Sequence, residues 1–333
     1  MNNSLPARTL EVENLNVNIH TAHSIIQAVN NVSFRLQEGK TLAIVGESGS
    51  GKSILCKSIL RLLPKAAVVP KNSRILFYGY DDLSNLSQKE FNKICGCKIA
   101  MILQNPMSSL NPVMKVGKQI AEPLLHHMGL NRKQAREKVI ALMNSVGIPM
   151  PEQRFDQYPH QLSGGICQRV AIAIALSCDP KLLIADEPTT ALDVTVQKEI
   201  FDLLALRQSQ KKMSMILVTH DLGVAMGRAD EIAVMYAGEI VEQAPAIDLF
   251  THMRMPYTRA LMDSIPRLDT PPHTILAAID GQPPNLMEPI IGCCFAPRCS
   301  CVQDKCIKKE PLLRSDIRKN HLFACWYPIG EAS

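Results

Sequence analysis

The feature of the sequence that most restricts its fold is a glycine-rich loop placed directly after an apolar run. Residues 42–45 are all apolar and predict a buried strand of a parallel sheet. A predicted helix over residues 54–63 comes after the loop, and phosphate-binding loops occur in this strand–loop–helix context. The loop itself fits the pattern G-x-x-x-x-G-K-[ST] and comprises Gly46, Glu47, Ser48, Gly49, Ser50, Gly51, Lys52 and Ser53.

The residue types of this loop suit a nucleoside polyphosphate. Glycines allow backbone N–H groups to converge on phosphate oxygens, and the helix N-terminus adds partial positive charge. We expect Lys52 to reach the β- and γ-phosphates and the Ser53 hydroxyl to bind Mg²⁺. A chance glycine- and serine-rich loop is the alternative, and the flanking strand and helix argue against it.

Two further apolar runs, residues 182–185 and 215–218, predict additional strands of the same kind. Asp186 and Glu187 follow the first of them, and open α/β sheets bind ligands at the carboxyl ends of their strands. Asp186 is therefore a candidate Mg²⁺ ligand, and Glu187 is a candidate base for an attacking water. An ordinary solvated acidic pair is the alternative, which the phosphate loop makes less favoured.

The middle of the chain is predicted to be mostly helical. Asn131 is a candidate N-cap of a helix that closes at Gly147, and residues 166–178 are apolar nearly all round, which indicates a buried helix. Residues 162–165, Leu-Ser-Gly-Gly, precede that buried helix and form a second candidate anion cradle. Residues 232–241 predict a hairpin that turns at Ala237 and Gly238.

Composition excludes several classes of protein. The chain has 333 residues, 46% of them hydrophobic and 20% charged, with a net charge of +5, which argues against disorder. Aromatic residues make up 5%, with one tryptophan, so we expect no nucleic-acid partner. No apolar run approaches the roughly 20 residues of a membrane span, and the first residues lack the apolar core of a signal peptide. The sequence therefore predicts a cytoplasmic protein, soluble or peripheral to a membrane.

Together these motifs resemble the ATP-binding cassette (ABC) family over residues 8–250. The matching features are a Walker A loop at 46–53, a Q-loop at Gln104, the signature at 162–165, Walker B at 182–187, a D-loop at 191–193 and a switch histidine at His220. The resemblance implies an α/β P-loop NTPase (RecA-like) core with an antiparallel β subdomain and an inserted helical subdomain at about 85–178. Residues 1–250 would form this domain, and the proline-rich residues 251–333 a small, loop-rich C-terminal extension.

The resemblance also implies a role for each motif residue. Glu187 would be the catalytic base, His220 would contact the γ-phosphate, and Gln104 would sense the metal and the attacking water. Ser53, Gln104 and Asp186 would surround Mg²⁺. The signature residues Ser163, Gly164 and Gly165 would close over ATP held by the other subunit, and Asp193 of the D-loop would line the dimer seam beside that nucleotide. The family stacks adenine on an aromatic residue, and this chain has Ile19 and His20 at the matching place, so either residue is a candidate.

Longer stretches around Gln104, the signature and Walker B resemble the dipeptide/oligopeptide/nickel importer branch of the family. This implies a head-to-tail dimer with a second, paralogous ATPase subunit, two integral membrane permeases and an external substrate-binding protein. The chain would lie at the cytoplasmic face of the cell (inner) membrane as a peripheral subunit. Peptides are the expected cargo. A nickel or metal-chelate importer and a soluble regulatory ATPase without a permease stay open as alternatives.

The cysteines are concentrated near the C-terminus. Six of the 11 lie between residues 293 and 325, and an odd count without a secretion signal argues against a disulfide framework. Some members of the branch hold an iron–sulfur cluster on cysteines placed like Cys293, Cys299, Cys306 and Cys325, so the resemblance implies a [4Fe-4S] cluster. Four thiolates also suit zinc, and free or oxidised cysteines are the third possibility.

Overall fold

A computed structural model describes residues 8–80, 82–105, 109–189, 193–265, 279–316 and 320–330. Its backbone contacts divide the chain into two units. The first comprises Met1–Thr9, Leu36–Lys40 and Asn85–Ile216, and the second comprises Leu10–Arg35, Thr41–Ser84 and Leu217–Ser333. No helix in the described ranges is long and apolar enough to cross a membrane.

Twelve strands occur in the described part of the chain. They are β1 (Arg8–His20), β2 (Ile25–Gln37), β3 (Thr41–Val45), β4 (Ala67–Val68), β5 (Arg74–Phe77), β6 (Ile99–Ile102), β7 (Leu182–Asp186), β8 (Ser214–Thr219), β9 (Glu231–Tyr236), β10 (Glu239–Pro245), β11 (Arg314–Ser315) and β12 (Leu322–Phe323).

Eleven α-helices lie in the same described ranges. They are α1 (Lys52–Ile59), α2 (Gln88–Phe91), α3 (Val116–Met128), α4 (Arg132–Ser145), α5 (Pro151–Arg154), α6 (Gly164–Leu176), α7 (Val194–Lys211), α8 (Leu222–Arg228), α9 (Ala246–Thr251), α10 (Pro256–Asp263) and α11 (Asp304–Lys308).

The first unit combines a parallel strand pair with a set of helices. Strands β6 and β7 pair in parallel with Ile99 opposite Leu182, and every residue of β7 is buried, as its unbroken apolar run predicts. Helix α4 begins at the predicted cap, where the Asn131 side chain accepts from the Gln134 N–H and Gln134 caps in return. Helix α6 is buried along most of its length, which its nearly uniform apolar sequence predicts.

The second unit contains an antiparallel sheet and a mixed sheet. In the antiparallel sheet β1 pairs with β4 and β5. In the mixed sheet the fully buried β3 pairs in parallel with β9. Strands β9 and β10 form the predicted hairpin, whose turn residues Ala237 and Gly238 both have positive φ angles. Strands β11 and β12 continue this sheet from β10, so the C-terminal residues extend it.

Candidate functional site

The glycine-rich loop lies in the second unit, between β3 and α1. Its first and last glycines must be glycine, because an added Cβ would approach a backbone oxygen closely. At Gly46 the Cβ would lie 2.1 Å from the Met235 carbonyl oxygen, and at Gly51 it would lie 2.3 Å from that of Ala28. Both residues also have positive φ angles, 155° and 102°. The close approach of the backbone at these two glycines therefore determines the path of the loop to the N-terminus of α1.

Lys52 is the first residue of α1 and is buried. Its Nζ donates to the carbonyl oxygens of Gly46 and Glu47, each at 2.7 Å. The ammonium group therefore lies inside the turn of the loop, where the positive end of the helix also points. An anion entering this turn would meet the lysine ammonium and the helix N-terminus.

The switch histidine also belongs to the second unit. His220 follows β8 and is exposed, and the next residue, Asp221, caps α8. The Asp221 carboxylate accepts from the N–H groups of Gly223 and Val224 at 2.8 and 3.1 Å. Because the cap fixes the start of α8, it also fixes the backbone on which the imidazole is carried.

Glu187 and Gln104 are brought together in the first unit. Gln104 Nε2 donates to Glu187 Oε2 at 2.9 Å, although the residues lie 83 positions apart in the chain. Asp186 is the last residue of β7 and is buried, and Glu187 adopts a positive φ of 47°. Such a φ is costly for a side chain larger than glycine, so the surrounding structure must hold Glu187 in this conformation.

Two glutamines support the segment that follows the acidic pair Asp186 and Glu187, and no sequence pattern indicated either of them. Gln168 of α6 is almost fully buried, and its Nε2 donates to the carbonyl oxygen of Pro188. Gln197 of α7 donates to the carbonyl oxygen of Thr189 at 3.3 Å. Side chains from two helices therefore hold the backbone just after Glu187. Only the fold brings these glutamines to residues 188 and 189.

The signature residues begin α6 in the first unit. Ser163 is the N-cap residue, but its side chain makes no capping hydrogen bond, and Ser163 and Gly164 are exposed. A Cβ at Gly164 would meet nothing within 4 Å. The N-terminus of this 13-residue helix is therefore exposed to solvent and accessible to an anion.

The other predicted positions are less distinctive. Asp193 caps α7, and its carboxylate accepts from the Val196 N–H at 3.0 Å; Ala191 and Leu192, which precede it in the D-loop, lie outside the described residues. Ile19 and His20 end β1, with Ile19 opposite Ala67 and His20 exposed. Both Ile19 and His20 stay candidates for the residue that stacks on adenine.

The four cysteines of the predicted cluster line one cavity of the second unit. Cys293, Cys299, Cys306 and Cys325 share it with Cys301 and with Met255, Pro256, Phe295, Ala296, Trp326 and Tyr327. A hydrogen bond from Cys294 lowers the pKa of Cys293 to about 7, whereas burial raises the pKa of Cys325 to about 12. Within the described ranges, no three His, Cys, Asp or Glu side chains stand in an arrangement that could hold a metal ion.

Comparison with known proteins decides the family. Residues 29–190 match the family model described as "ABC transporter", and residues 241–306 match "Oligopeptide/dipeptide transporter, C-terminal region". The chain is 47% identical over 321 residues to the dipeptide transport ATP-binding protein DppD of Bacillus subtilis (strain 168), covering 96% of this chain and 94% of that protein. The chain belongs to the ABC transporter family.

Other relatives and solved structures agree with this ABC assignment. The oligopeptide transport ATP-binding protein OppD of Bacillus subtilis (strain 168) is 48% identical, with 91% of this chain and 85% of that protein covered. The DppD of Escherichia coli (strain K12) is 42% identical, with 97% and 98% covered. Among solved structures, the dimeric cassette MJ0796 bound to ADP and Pi gives a TM-score of 0.63 at 28% identity, covering 71% of this chain and 98% of that one.

The family and the α/β P-loop fold indicated by the motifs are thereby confirmed. ATP and Mg²⁺ are the ligands expected of an ABC ATPase. The residues assigned to them in this chain stay predictions.

Proposed function

We propose that this chain is the ATP-binding and ATP-hydrolysing subunit that powers a membrane importer of dipeptides or oligopeptides. The observation that carries the proposal is the combination of a phosphate loop with a C-terminal region of the oligopeptide/dipeptide type, at residues 46–53 and 241–306. The relatives named as dipeptide and oligopeptide transport ATP-binding proteins support peptides over nickel as the cargo.

The residues would divide the reaction as the motifs imply. Lys52 and Ser53 would hold the phosphates and Mg²⁺, with Asp186 on the metal. Glu187 would take a proton from the attacking water, and the Gln104 amide would orient its carboxylate through their 2.9 Å hydrogen bond. His220 would stabilise the γ-phosphate, where negative charge develops during transfer.

The dimer follows from the count of motifs. The chain holds one phosphate loop and one signature, and the open N-terminus at Ser163 is suited to phosphates bound by another subunit. We infer a head-to-tail pair with a second ATPase subunit, a paralogue. That pair would bind two permeases and work with an external substrate-binding protein at the cytoplasmic face of the inner membrane.

We also keep the domain division as a proposal. Residues 1–250 would form the nucleotide-binding domain, with its helical subdomain at about 85–178, and residues 251–333 the C-terminal extension. The separate family matches at residues 29–190 and 241–306 support two regions of different type.

A [4Fe-4S] cluster on Cys293, Cys299, Cys306 and Cys325 is the finer proposal for the extension. In its favour, all four cysteines line one cavity. A four-iron cluster binds each thiolate to a different iron, so it needs its thiolates farther apart than a single ion does. Four thiols in one cavity suit such a cluster, and zinc is the alternative for the same ligand set. The cluster would be structural or regulatory, and ATP hydrolysis would not require it, because it lies outside the phosphate loop.

Co-purification and transport test the function directly. The chain should co-purify with integral membrane permeases, and the reconstituted transporter should take up labelled dipeptides when ATP is supplied. Uptake should fail when Glu187→Gln replaces the wild-type chain. Uptake of nickel but not of peptides would transfer the assignment to the alternative cargo. A chain that hydrolyses ATP but never associates with permeases would contradict the importer role.

A further inference from the structure

Glu47, the second residue of the phosphate loop, is held by three groups. Its backbone N–H donates to the Tyr257 hydroxyl at 3.0 Å, and its carbonyl oxygen accepts from Lys52 at 2.7 Å. Its carboxylate forms a bidentate pair with Arg298, at 2.6 Å from Nη1 to Oε2 and 2.9 Å from Nη2 to Oε1. Two of the three groups come from the C-terminal part of the chain, more than 200 residues away.

Arg298 is held in place by hydrogen bonds to groups other than Glu47. Its Nε donates to the Asp280 carbonyl oxygen at 2.9 Å and its Nη2 to that of Ile279 at 3.1 Å, while Nη1 also contacts the Tyr236 hydroxyl at 3.2 Å. Its side chain is only 4% exposed. A guanidinium held in this way presents two parallel N–H groups to one carboxylate, a geometry that the single ammonium of lysine cannot reproduce.

Aromatic packing connects the Glu47–Arg298 ion pair to the segment that carries the cysteines. The rings of Tyr236, Tyr257 and Phe295 lie with centroids 4.5 to 5.4 Å apart. Phe295 and Arg298 belong to the short turn between Cys293 and Cys299, two of the cysteines that line the cavity. A change in the position of this turn would therefore move the guanidinium that holds the phosphate loop.

The Glu47–Arg298 ion pair changes the electrostatics of the phosphate loop. The loop is shaped for phosphate, yet it carries a carboxylate that is 25% exposed, and two anions at short range repel each other. An arginine guanidinium keeps its positive charge throughout the physiological pH range, so the partner of Glu47 stays charged. A permanent cation on Glu47 therefore removes an unfavourable charge from the place where phosphate is expected to bind.

We propose that Arg298 is a positioning residue of the phosphate loop, through which the cysteine-bearing C-terminal segment sets the affinity for ATP. It acts by neutralising Glu47 and by fixing the carboxylate and the backbone of the loop's second residue. The inference rests on the proposed function, because it takes residues 46–53 as the ATP site.

Equilibrium binding of MgATP to the full chain tests this, with variants Arg298→Gln, Arg298→Lys, Glu47→Gln and the Glu47→Gln/Arg298→Gln pair. Arg298→Gln should raise the Kd about tenfold, within the range of couplings between linked sites. The KM of the Arg298→Gln variant for MgATP should rise by the same factor as its Kd, with little change in kcat. Arg298→Lys should restore little of the affinity, because one ammonium cannot make the bidentate pair. In the Glu47→Gln background, Arg298→Gln should change the Kd by less than about twofold.

Two controls make the outcome specific. Lys308→Gln removes a positive charge of the same segment from an exposed side chain and should leave the Kd unchanged. Lys52→Ala should abolish tight binding. If Lys52→Ala abolishes binding but Arg298→Gln does not alter it, the inference is wrong and the proposed site stands. An equal effect of Arg298→Gln with and without Glu47 also overturns the inference. If Lys52→Ala binds normally, the proposed site itself fails.

Discussion

Replacing Glu239 by glutamine should make the protein more stable at neutral and alkaline pH. Glu239 begins β10 and accepts a hydrogen bond from Asn30 Nδ2 at 2.6 Å. Burial, with added repulsion from Glu310, raises the pKa of Glu239 from 4.5 to about 7. Glutamine keeps the shape and the oxygen that Asn30 contacts, but it has no charge to bury.

The sign and size follow from the two pKa values. Below pH 4.5 the carboxyl is protonated in both states, so the substitution has no electrostatic effect. Between pH 4.5 and about 7 the unfolded chain ionises first, so the wild-type stability falls as pH rises. Above that window the penalty is constant. The difference between 4.5 and about 7, at 1.36 kcal/mol for each pKa unit, corresponds to about 3 kcal/mol.

Urea unfolding from pH 4 to 8.5 measures this, and the one tryptophan, Trp326, reports on the unit that contains Glu239. The free energies of unfolding of wild type and Glu239→Gln should agree at pH 4 and separate by up to about 3 kcal/mol at pH 8.5. Glu288→Gln is the matched control, because Glu239 and Glu288 line one cavity, separate from that of the four cysteines, and Glu288 is exposed. Parallel pH profiles for wild type and Glu239→Gln would refute the reasoning.

Three further predictions concern the ATP site and the cysteine cavity. Glu187→Gln should slow phosphate release about 10²–10⁴-fold while MgATP still binds; normal turnover would contradict the assigned base. Gly51→Ala should weaken MgATP binding and lower the unfolding temperature more than Gly49→Ala. Both have positive φ, but only at Gly51 does the Cβ meet a carbonyl oxygen, at 2.3 Å; equal effects would contradict the steric argument. Anaerobically purified protein should be brown with about four irons per chain. Cys325→Ser should lose that iron and Cys301→Ser should keep it; retention by both would remove Cys325 from the ligand set.

Local sequence patterns predicted the elements whose determinants lie within a few residues. The Asn131 cap is an example, because its partner Gln134 is three positions away, and the hairpin at Ala237 and Gly238 is another. The phosphate loop belongs to the same class, since its strand, glycines and helix are contiguous. Interactions of this range need no knowledge of topology, and the sequence therefore sufficed.

Contacts between distant segments could not be predicted in this way. The link between Gln168 and Pro188 and that between Arg298 and Glu47 join residues 20 and 251 positions apart. Glutamine and arginine are common on protein surfaces, so neither residue type signals a partner without the fold. The hydrogen bond between Gln104 and Glu187 was foreseeable only as two roles in one reaction, not as a contact.

The proline-rich C-terminal segment shows how a region with a weak apolar pattern can still be anchored. The Glu242 carboxylate, fully buried in β10, accepts from the backbone N–H groups of Arg254 and Met255 at 2.6 and 3.1 Å. His321, also fully buried, contacts the same carboxylate at 2.7 Å through Nε2. A buried carboxylate is expensive unless several groups satisfy it, so each partner held here adds to the stability of the arrangement. A metal at the cysteines would therefore add to an existing anchor, and its removal should loosen the cysteine cavity without unfolding the segment as a whole.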